Sequence, residues 1–139
     1  MIKLIIGEVG AGKTKGLIDV VNKVAQSSDG TVVFIEKDET LTYDLKPSVR
    51  LIPANSYGID SYDLMAGFVR GIMARDYDCT HIFIDSITKI CGNDIENMTS
   101  FFLNTISLTD EHRLTLISTV SVLLEDLPSD LHKFIMSEQ

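Results

Sequence analysis

Glycines and a lysine–threonine pair recur at a fixed spacing near the start of the chain. Residues 7–14 read GEVGAGKT, which matches the pattern G-x-x-x-x-G-K-[ST]. Glycines let this backbone curl tightly, partly at positive φ, so that several N–H groups point at one oxyanion. We expect Lys13 to reach the β- and γ-phosphates of a nucleotide and Thr14 to offer its hydroxyl to Mg²⁺. The sequence therefore predicts a P-loop with contacts from Gly7, Glu8, Val9, Gly10, Ala11, Gly12, Lys13, Thr14 and Lys15.

The residues on either side of this loop predict a strand and a helix. Residues 2–6 form an apolar run interrupted only by Lys3, and apolar residues recur at helical spacing over residues 17–25. A helix that begins at the loop points the positive end of its dipole at the phosphates. This context favours phosphate binding over the alternative, a plain glycine-rich turn.

A carboxylate closes another apolar run, much later in the chain. Residues 82–84 are Ile-Phe-Ile, and the next residue is Asp85. An acidic residue at the carboxyl end of a buried strand is the Walker B arrangement, in which the carboxylate holds Mg²⁺ through water. We therefore predict Thr14 and Asp85 as the metal ligands, the alternative being a solvated strand-end aspartate. Ser86 stands where several nucleoside triphosphatases carry a glutamate, so the group that polarises the attacking water must come from elsewhere.

Further strands and helices alternate along the rest of the chain. Residues 31–35, 80–85 and 114–121 predict buried strands, the last of them hydroxyl-rich at its end, and residues 49–54 predict a short strand weakened by Pro53. A helix is predicted after Asp60 as its N-cap, with an apolar stripe of Leu64, Met65, Phe68, Val69, Ile72 and Met73. A second is predicted from about Asn93, with Ile95, Met98, Phe102 and Ile106 facing inward. A short C-terminal helix is predicted from Pro128 through Leu131, Phe134 and Ile135.

This alternation predicts an α/β fold: one three-layer αβα domain over residues 1–139 with a mainly parallel sheet. The cluster Glu-Lys-Asp-Glu at residues 36–39 follows a strand, so it is predicted at the carboxyl edge of the sheet, where ligands bind. Residues 40–48 show little periodicity and predict a surface excursion.

Composition narrows the classes of function. The formal net charge is −8 and the twelve basic residues form no run, so nucleic acid is not expected as a partner. No apolar run is long enough for a membrane span and no leader is apparent, so we expect a cytoplasmic protein. Cys79 and Cys91 lack the spacing of paired metal ligands, and we expect reduced, partly buried thiols.

The Asp85-Ser86 pair and the P-loop together resemble RecA-like P-loop ATPases. In that family the catalytic carboxylate follows the strand after the P-loop helix, and here that position is occupied by Glu36 and Asp38. The resemblance implies that one of these two polarises water, Asp38 by register and Glu36 by its longer reach; a solvated acidic turn is the alternative. It also implies that Ser121, at the end of the last predicted strand, senses the γ-phosphate, unless it is merely a strand end.

The chain is also similar to small stand-alone P-loop proteins of clostridial-type bacteria, often labelled twitching motility protein PilT. The similarity lies in the patterns GxxGAGKTKxLID, FIEKD and THIFIDS. The label implies a pilus-retraction hexamer, whose motors carry histidine-containing motifs that this sequence lacks.

Together these features predict an ATP-binding protein that hydrolyses MgATP slowly and is accelerated by self-assembly or by a protein partner. One alternative is a nucleotide-gated interaction module, in which binding orders residues 36–48 with little turnover. Another is a small-molecule kinase, although the arginine-rich lid that kinases use is missing after residue 75. ATP is favoured over GTP because no Asn-Lys-x-Asp tetrad occurs: residues 22–25 are Asn-Lys-Val-Ala.

Overall fold

A computed structural model describes residues 1–139. Its centre is a sheet of six parallel strands in the order β3-β2-β4-β5-β1-β6. The strands are β1 (Ile2–Gly7), β2 (Thr31–Glu36), β3 (Val49–Pro53), β4 (Cys79–Ile84), β5 (Thr115–Ser121) and β6 (Ile135–Glu138). Parallel neighbours need crossover connections, and the intervening helices supply them.

Four α-helices and three short 3₁₀ segments connect these strands. The α-helices are α1 (Lys13–Ser27), α2 (Tyr62–Arg75), α3 (Ile87–Cys91) and α4 (Ile95–Glu111). The 3₁₀ segments are Ala54–Tyr57, Leu124–Asp126 and Ser129–Phe134. None of the helices combines the length and the apolar character that crossing a membrane requires.

The helices cover both faces of the sheet, which gives the predicted α/β layering. On one face, α1 packs Leu17 and Val21 into a core formed with Ile5, Phe34, Phe83 and Ile117. On the other face, α2 and α4 contribute to a larger core that includes Met65, Val69, Phe102, Ile6, Ile84 and Leu116. Because successive residues of a strand point to opposite faces, nearly continuous apolar strands are needed to fill both cores.

The strand order brings four carboxyl ends side by side. β5 lies between β1 and β4, with Gly7 opposite Ser121 and Ile84 opposite Ser118. β2 then pairs with the other side of β4, with Ile35 opposite Ile84. The residues that follow β1, β2 and β4 therefore converge at one edge of the sheet.

Two helix predictions need correction at their first turns. The N-cap of α2 is Ser61 rather than Asp60, because the Ser61 hydroxyl accepts a hydrogen bond from Leu64 N at 3.1 Å. α4 begins at Ile95 rather than near Asn93, since Asp94 caps it by accepting from Asn97 N at 3.1 Å. Leu64 and Ile95 are both exposed, so they do not belong to the apolar stripes assigned to them.

The end of the chain also differs from the prediction. The C-terminal helix predicted from Pro128 is a 3₁₀ segment, in which Leu131 and Phe134 are buried at the i, i+3 spacing that 3₁₀ and α-helices share. Ile135 then starts β6, which pairs in parallel with the free edge of β1. β5 is therefore not the last strand. The short helix α3 was not predicted either.

Both cysteines are free thiols, as predicted. Burial raises the pKa of Cys79 to about 11 and that of Cys91 to about 12. The thiolate is the reactive form of cysteine, so burial favours the less reactive thiol at both positions.

Gly30, just before β2, is packed closely against the residues at the start of β4. A Cβ at Gly30 would lie 2.1 Å from Asp78 O and 2.6 Å from Thr80 Cγ2, whereas a Cβ at Gly71 of α2 meets nothing. We expect Gly30→Ala to lower the free energy of unfolding by about 1–3 kcal/mol, and the control Gly71→Ala to raise it by about 0.5–1 kcal/mol. Urea denaturation of the two variants measures both effects. Equal stabilities would contradict the packing described at residues 30, 78 and 80.

Candidate functional site

The loop of residues 7–14, called the glycine loop below, links β1 to α1 through two left-handed glycines. Gly10 has φ 84° and Gly12 has φ 92°. A Cβ at either position would meet no atom, so the backbone conformation and not the lack of space demands glycine there. Ala11 N donates to Glu8 O at 3.1 Å, which closes the loop just before the first turn of α1.

Lys13 turns its side chain back into this loop. It is only 6% exposed, and its ammonium donates to the carbonyl oxygen of Glu8. Burial lowers the pKa of Lys13, while the charges of Asp85 and Glu8 oppose that change. The one ion pair of the chain joins the Met1 amino group to Asp110 at 2.6 Å, so no carboxylate neutralises Lys13 directly. An ammonium has three N–H donors, so the bond to Glu8 O leaves Lys13 with donors for a further acceptor.

Asp85 is the buried carboxylate of the site and is held by two hydroxyls. Thr14 Oγ1 lies 3.0 and 3.1 Å from the two carboxylate oxygens, and Thr119 Oγ1 lies 3.0 Å from Oδ1. Burial raises the pKa of Asp85, the hydrogen bonds from Thr119 and Thr14 oppose the rise, and the charge of Glu36 adds to it. These contacts join the first turn of α1 to the ends of β4 and β5.

Thr119 also fixes the turn that follows Asp85. Its Oγ1 accepts a hydrogen bond from Ser86 N at 2.6 Å. Ser86 has φ 58° and ψ 60°, a left-handed conformation that costs a residue with a side chain about 1–3 kcal/mol. Because of this turn α3 begins directly after β4, and Lys89 of α3 lies at the carboxyl edge of the sheet.

Glu36 and Asp38, the two candidates for the catalytic carboxylate, have different surroundings. Glu36 is 4% exposed; its Oε1 accepts from Thr40 N at 3.0 Å and Thr40 Oγ1 at 2.7 Å, and its Oε2 accepts from Leu41 N at 3.1 Å. Asp38 is exposed, and its Oδ1 accepts from Asn55 Nδ2 at 2.7 Å. Glu36 therefore shapes the loop after β2, whereas Asp38 keeps one carboxylate oxygen without a protein donor.

Two adjoining cavities open at this edge. The first, called the loop cavity, has a volume of about 410 Å³ and is lined by Val9, Gly10, Gly12, Lys13, Thr14, Ser86, Lys89 and Ser121. The second, called the acidic cavity, has about 60 Å³ and is lined by Glu36, Lys37, Asp38, Thr40, Asp85, Ser86 and Lys89. Ser86 and Lys89 line both, so they form the boundary between the two cavities. A separate apolar cavity of about 480 Å³ lies by Met1, Phe134 and Ile135 and shares no residue with either.

The structure therefore brings most of the predicted site residues together. Lys13, Thr14 and Ser121 line the loop cavity, and Glu36, Asp38 and Asp85 line the acidic cavity. Four other predicted contacts, Gly7, Glu8, Ala11 and Lys15, line neither of these two cavities, although the Glu8 carbonyl accepts from Lys13. Sequence reasoning missed Lys89 because its helix was not predicted. The hydroxyl-rich end of the strand predicted over residues 114–121 includes Thr119, but its bond to Asp85 was not predicted.

The chain has no cluster of three or more His, Cys, Asp or Glu side chains that would hold a metal ion unaided. Thr14 and Asp85 nevertheless place a hydroxyl and a carboxylate about 3 Å apart, and these are the hard oxygen ligands that Mg²⁺ prefers.

No family model matches the chain, and no curated protein matches it. The resemblances to RecA-like ATPases and to the proteins labelled PilT therefore stay predictions.

The Asp85→Asn variant removes the buried negative charge and keeps the shape of the side chain. Because the folded-state pKa of Asp85 is raised, the folded chain holds this proton more tightly than the unfolded chain. Protonated Asp85 therefore stabilises the fold fully at acid pH, and this stabilisation is lost as the pH rises through the folded-state pKa of Asp85. We expect the unfolding free energy of Asp85→Asn to improve relative to wild type as the pH rises from about 4 to about 7.

Urea denaturation across that range measures this effect. Asp29→Asn, at an exposed residue outside both cavities, controls for the loss of one negative charge. A stability difference between Asp85→Asn and wild type that does not change with pH would contradict the raised pKa.

Proposed function

We propose that the protein is a P-loop nucleoside triphosphatase that binds MgATP in the loop cavity and hydrolyses it slowly. The observation that carries this proposal is the joint placement of Lys13, Thr14 and Asp85. A buried cation, a hydroxyl and a carboxylate meet where a helix begins and two left-handed glycines turn the backbone. These are the groups that triphosphate and magnesium binding require.

The residues present fit a magnesium ion that arrives with the nucleotide. Thr14 would supply its hydroxyl, and Asp85 would accept hydrogen bonds from metal-bound water. Mg²⁺ keeps several waters and is commonly bound through one or two carboxylates plus substrate phosphates, so a larger protein ligand set is unnecessary. The bound ion polarises the phosphates. The chain's own part is to orient that ion, to bind the β- and γ-phosphates through Lys13, and to read the γ-phosphate through Ser121, which lines the same cavity.

The acidic cavity supports turnover by supplying a carboxylate beside the γ-phosphate position. Asp38 is the better candidate to orient the attacking water, because one of its oxygens has no protein donor while Glu36 accepts three hydrogen bonds from its own loop. ATP is proposed over GTP because no guanine-reading Asn-Lys-x-Asp tetrad is present.

Lys13→Ala tests nucleotide binding. Loss of its charged contacts should cost about 3 kcal/mol, which weakens MgATP binding roughly 100-fold. Isothermal titration with ATP, ADP and GTP, with and without Mg²⁺, measures the affinity, and phosphate release measures turnover. Lys23→Ala, an exposed lysine of α1 outside both cavities, should bind and turn over as wild type does. Phosphate release by wild type that equals release by Lys13→Ala would overturn the proposed hydrolysis.

A second candidate function, a nucleotide-gated interaction module, is favoured by the contacts of Glu36. A carboxylate that caps residues 40 and 41 is suited to holding the segment 36–48 in one arrangement. Asp85 couples that segment to the glycine loop electrostatically, because the charge of Glu36 raises the Asp85 pKa while Thr14 donates to the same carboxylate. Occupation of the loop cavity would then change the order of the segment, with little turnover.

A pair of matched amide variants separates hydrolysis from gating. Glu36→Gln turns one acceptor oxygen into a donor that faces an N–H of residue 40 or residue 41, so we expect faster tryptic cleavage after Lys37. Asp38→Asn keeps an acceptor for Asn55, so we expect unchanged cleavage but phosphate release lowered by about tenfold or more. Limited proteolysis and phosphate release, with and without MgATP, measure both variants.

Two outcomes decide between the functions. A wild-type protein whose cleavage pattern is insensitive to MgATP contradicts gating. Full turnover by Asp38→Asn contradicts the proposal that Asp38 orients the attacking water.

A further inference from the structure

Lys89 is the second cation of the candidate site, and the functions assigned above leave it without a role. It lines both the loop cavity and the acidic cavity. No ion pair engages it, since the chain's one ion pair lies at Met1 and Asp110. None of the four arginines lines either cavity: Arg50, Arg70, Arg75 and Arg113 all lie elsewhere. The positive charges facing the loop cavity are therefore those of Lys13 and Lys89.

The backbone of Lys89 is held firmly in this position. Ile87 and Ile90 are 0% and 5% exposed and anchor α3 in the larger core. Lys89 N donates to Ser86 O at 2.9 Å, and Ser86 itself is fixed by its bond to Thr119. The side chain of Lys89 is exposed, so it can extend toward a ligand from an anchored backbone.

Its place at the boundary of the two cavities matches the place where charge changes during hydrolysis. The loop cavity holds Lys13 and Thr14, which bind the phosphates, and the acidic cavity holds the carboxylates beside the attacking water. In the proposed function the γ-phosphorus lies between the two cavities. In the reaction the water oxygen bonds to the γ-phosphorus as the bond to the β,γ-bridging oxygen breaks, and the water proton leaves to a carboxylate or a phosphate oxygen. During this step the charge is spread over the three equatorial oxygens of the γ-phosphoryl group.

We propose that Lys89 binds the γ-phosphoryl oxygens and acts as a catalytic residue supplied within the same chain, in the role that an arginine finger has elsewhere. This inference rests on the proposed function. The ammonium stays protonated and neutralises charge on the transferring group, so the site needs no cation from another subunit for basal turnover. Because ADP has no γ-phosphate, the contact also makes the site distinguish ATP from ADP.

The test compares Lys89→Ala and Lys89→Arg with wild type, with Lys23→Ala as a charge-matched control at an exposed residue of α1. For Lys89→Ala we expect kcat to fall about tenfold or more, and the affinity for a non-hydrolysable ATP analogue with Mg²⁺ to fall by a larger factor than the affinity for MgADP. Lys89→Arg should restore part of both losses, because it keeps the charge. Thermal unfolding of each variant checks that the fold is retained.

The outcomes separate this inference from the function on which it rests. Wild type that binds neither the analogue nor ADP overturns the proposed function, and with it this role of Lys89. Wild type that binds both, together with a Lys89→Ala variant whose ratio of analogue to ADP affinity and whose kcat equal those of wild type, overturns the role of Lys89 alone. If wild type binds both ligands without turnover, the ratio of analogue to ADP affinity decides. A lower ratio in Lys89→Ala than in wild type supports the γ-phosphate contact, and an equal ratio overturns it.

Discussion

The buried carboxylate of Asp85 is the interaction on which the arrangement of the site depends. It accepts hydrogen bonds from Thr14 at the start of α1 and from Thr119 on β5, while Thr119 in turn accepts from the backbone of Ser86. One carboxylate thus links the first turn of α1 to the ends of β4 and β5, which the sheet already holds side by side. Burial of its charge is unfavourable, as the raised pKa shows, and the two hydroxyls offset part of that cost.

The glycine loop and the acidic cavity are organised in different ways. The loop draws its shape from neighbouring residues: two left-handed glycines, a bond from Ala11 to Glu8, and Lys13 folded back onto the Glu8 carbonyl. Local chemistry of this kind is visible in a sequence. The acidic cavity is assembled from residues of β2, β4 and α3 that are far apart in the chain, so its geometry exists only when the sheet has formed.

This difference explains how much could be predicted. The parallel α/β fold follows from apolar runs such as residues 82–84, which are too continuous for a solvated sheet face. Leu64 and Ile95 were assigned to the core wrongly, because helical periodicity marks an apolar face but not the point where packing ends. β6 was missed since its four residues carry no pattern of their own and pair only because β1 has a free edge. Thr119 and Lys89 were missed as site residues because neither belongs to a motif: a strand register and a strained Ser86 turn position them.

The charges at the sheet edge bear on which ligand the site can accept. Glu36, Asp38 and Asp85 surround the acidic cavity with two lysines, and the chain as a whole carries a formal charge of −8. A bare triphosphate placed beside these carboxylates would meet strong like-charge repulsion in a partly buried setting. Lys13, Lys37 and Lys89 together cannot balance both the carboxylates and the phosphates. A divalent cation between Asp85 and the phosphates removes that repulsion, and Thr14 already stands within hydrogen-bonding distance of Asp85 to help hold it. For the proposed nucleotide binding, the electrostatics of the edge therefore favour the magnesium complex over the free nucleotide.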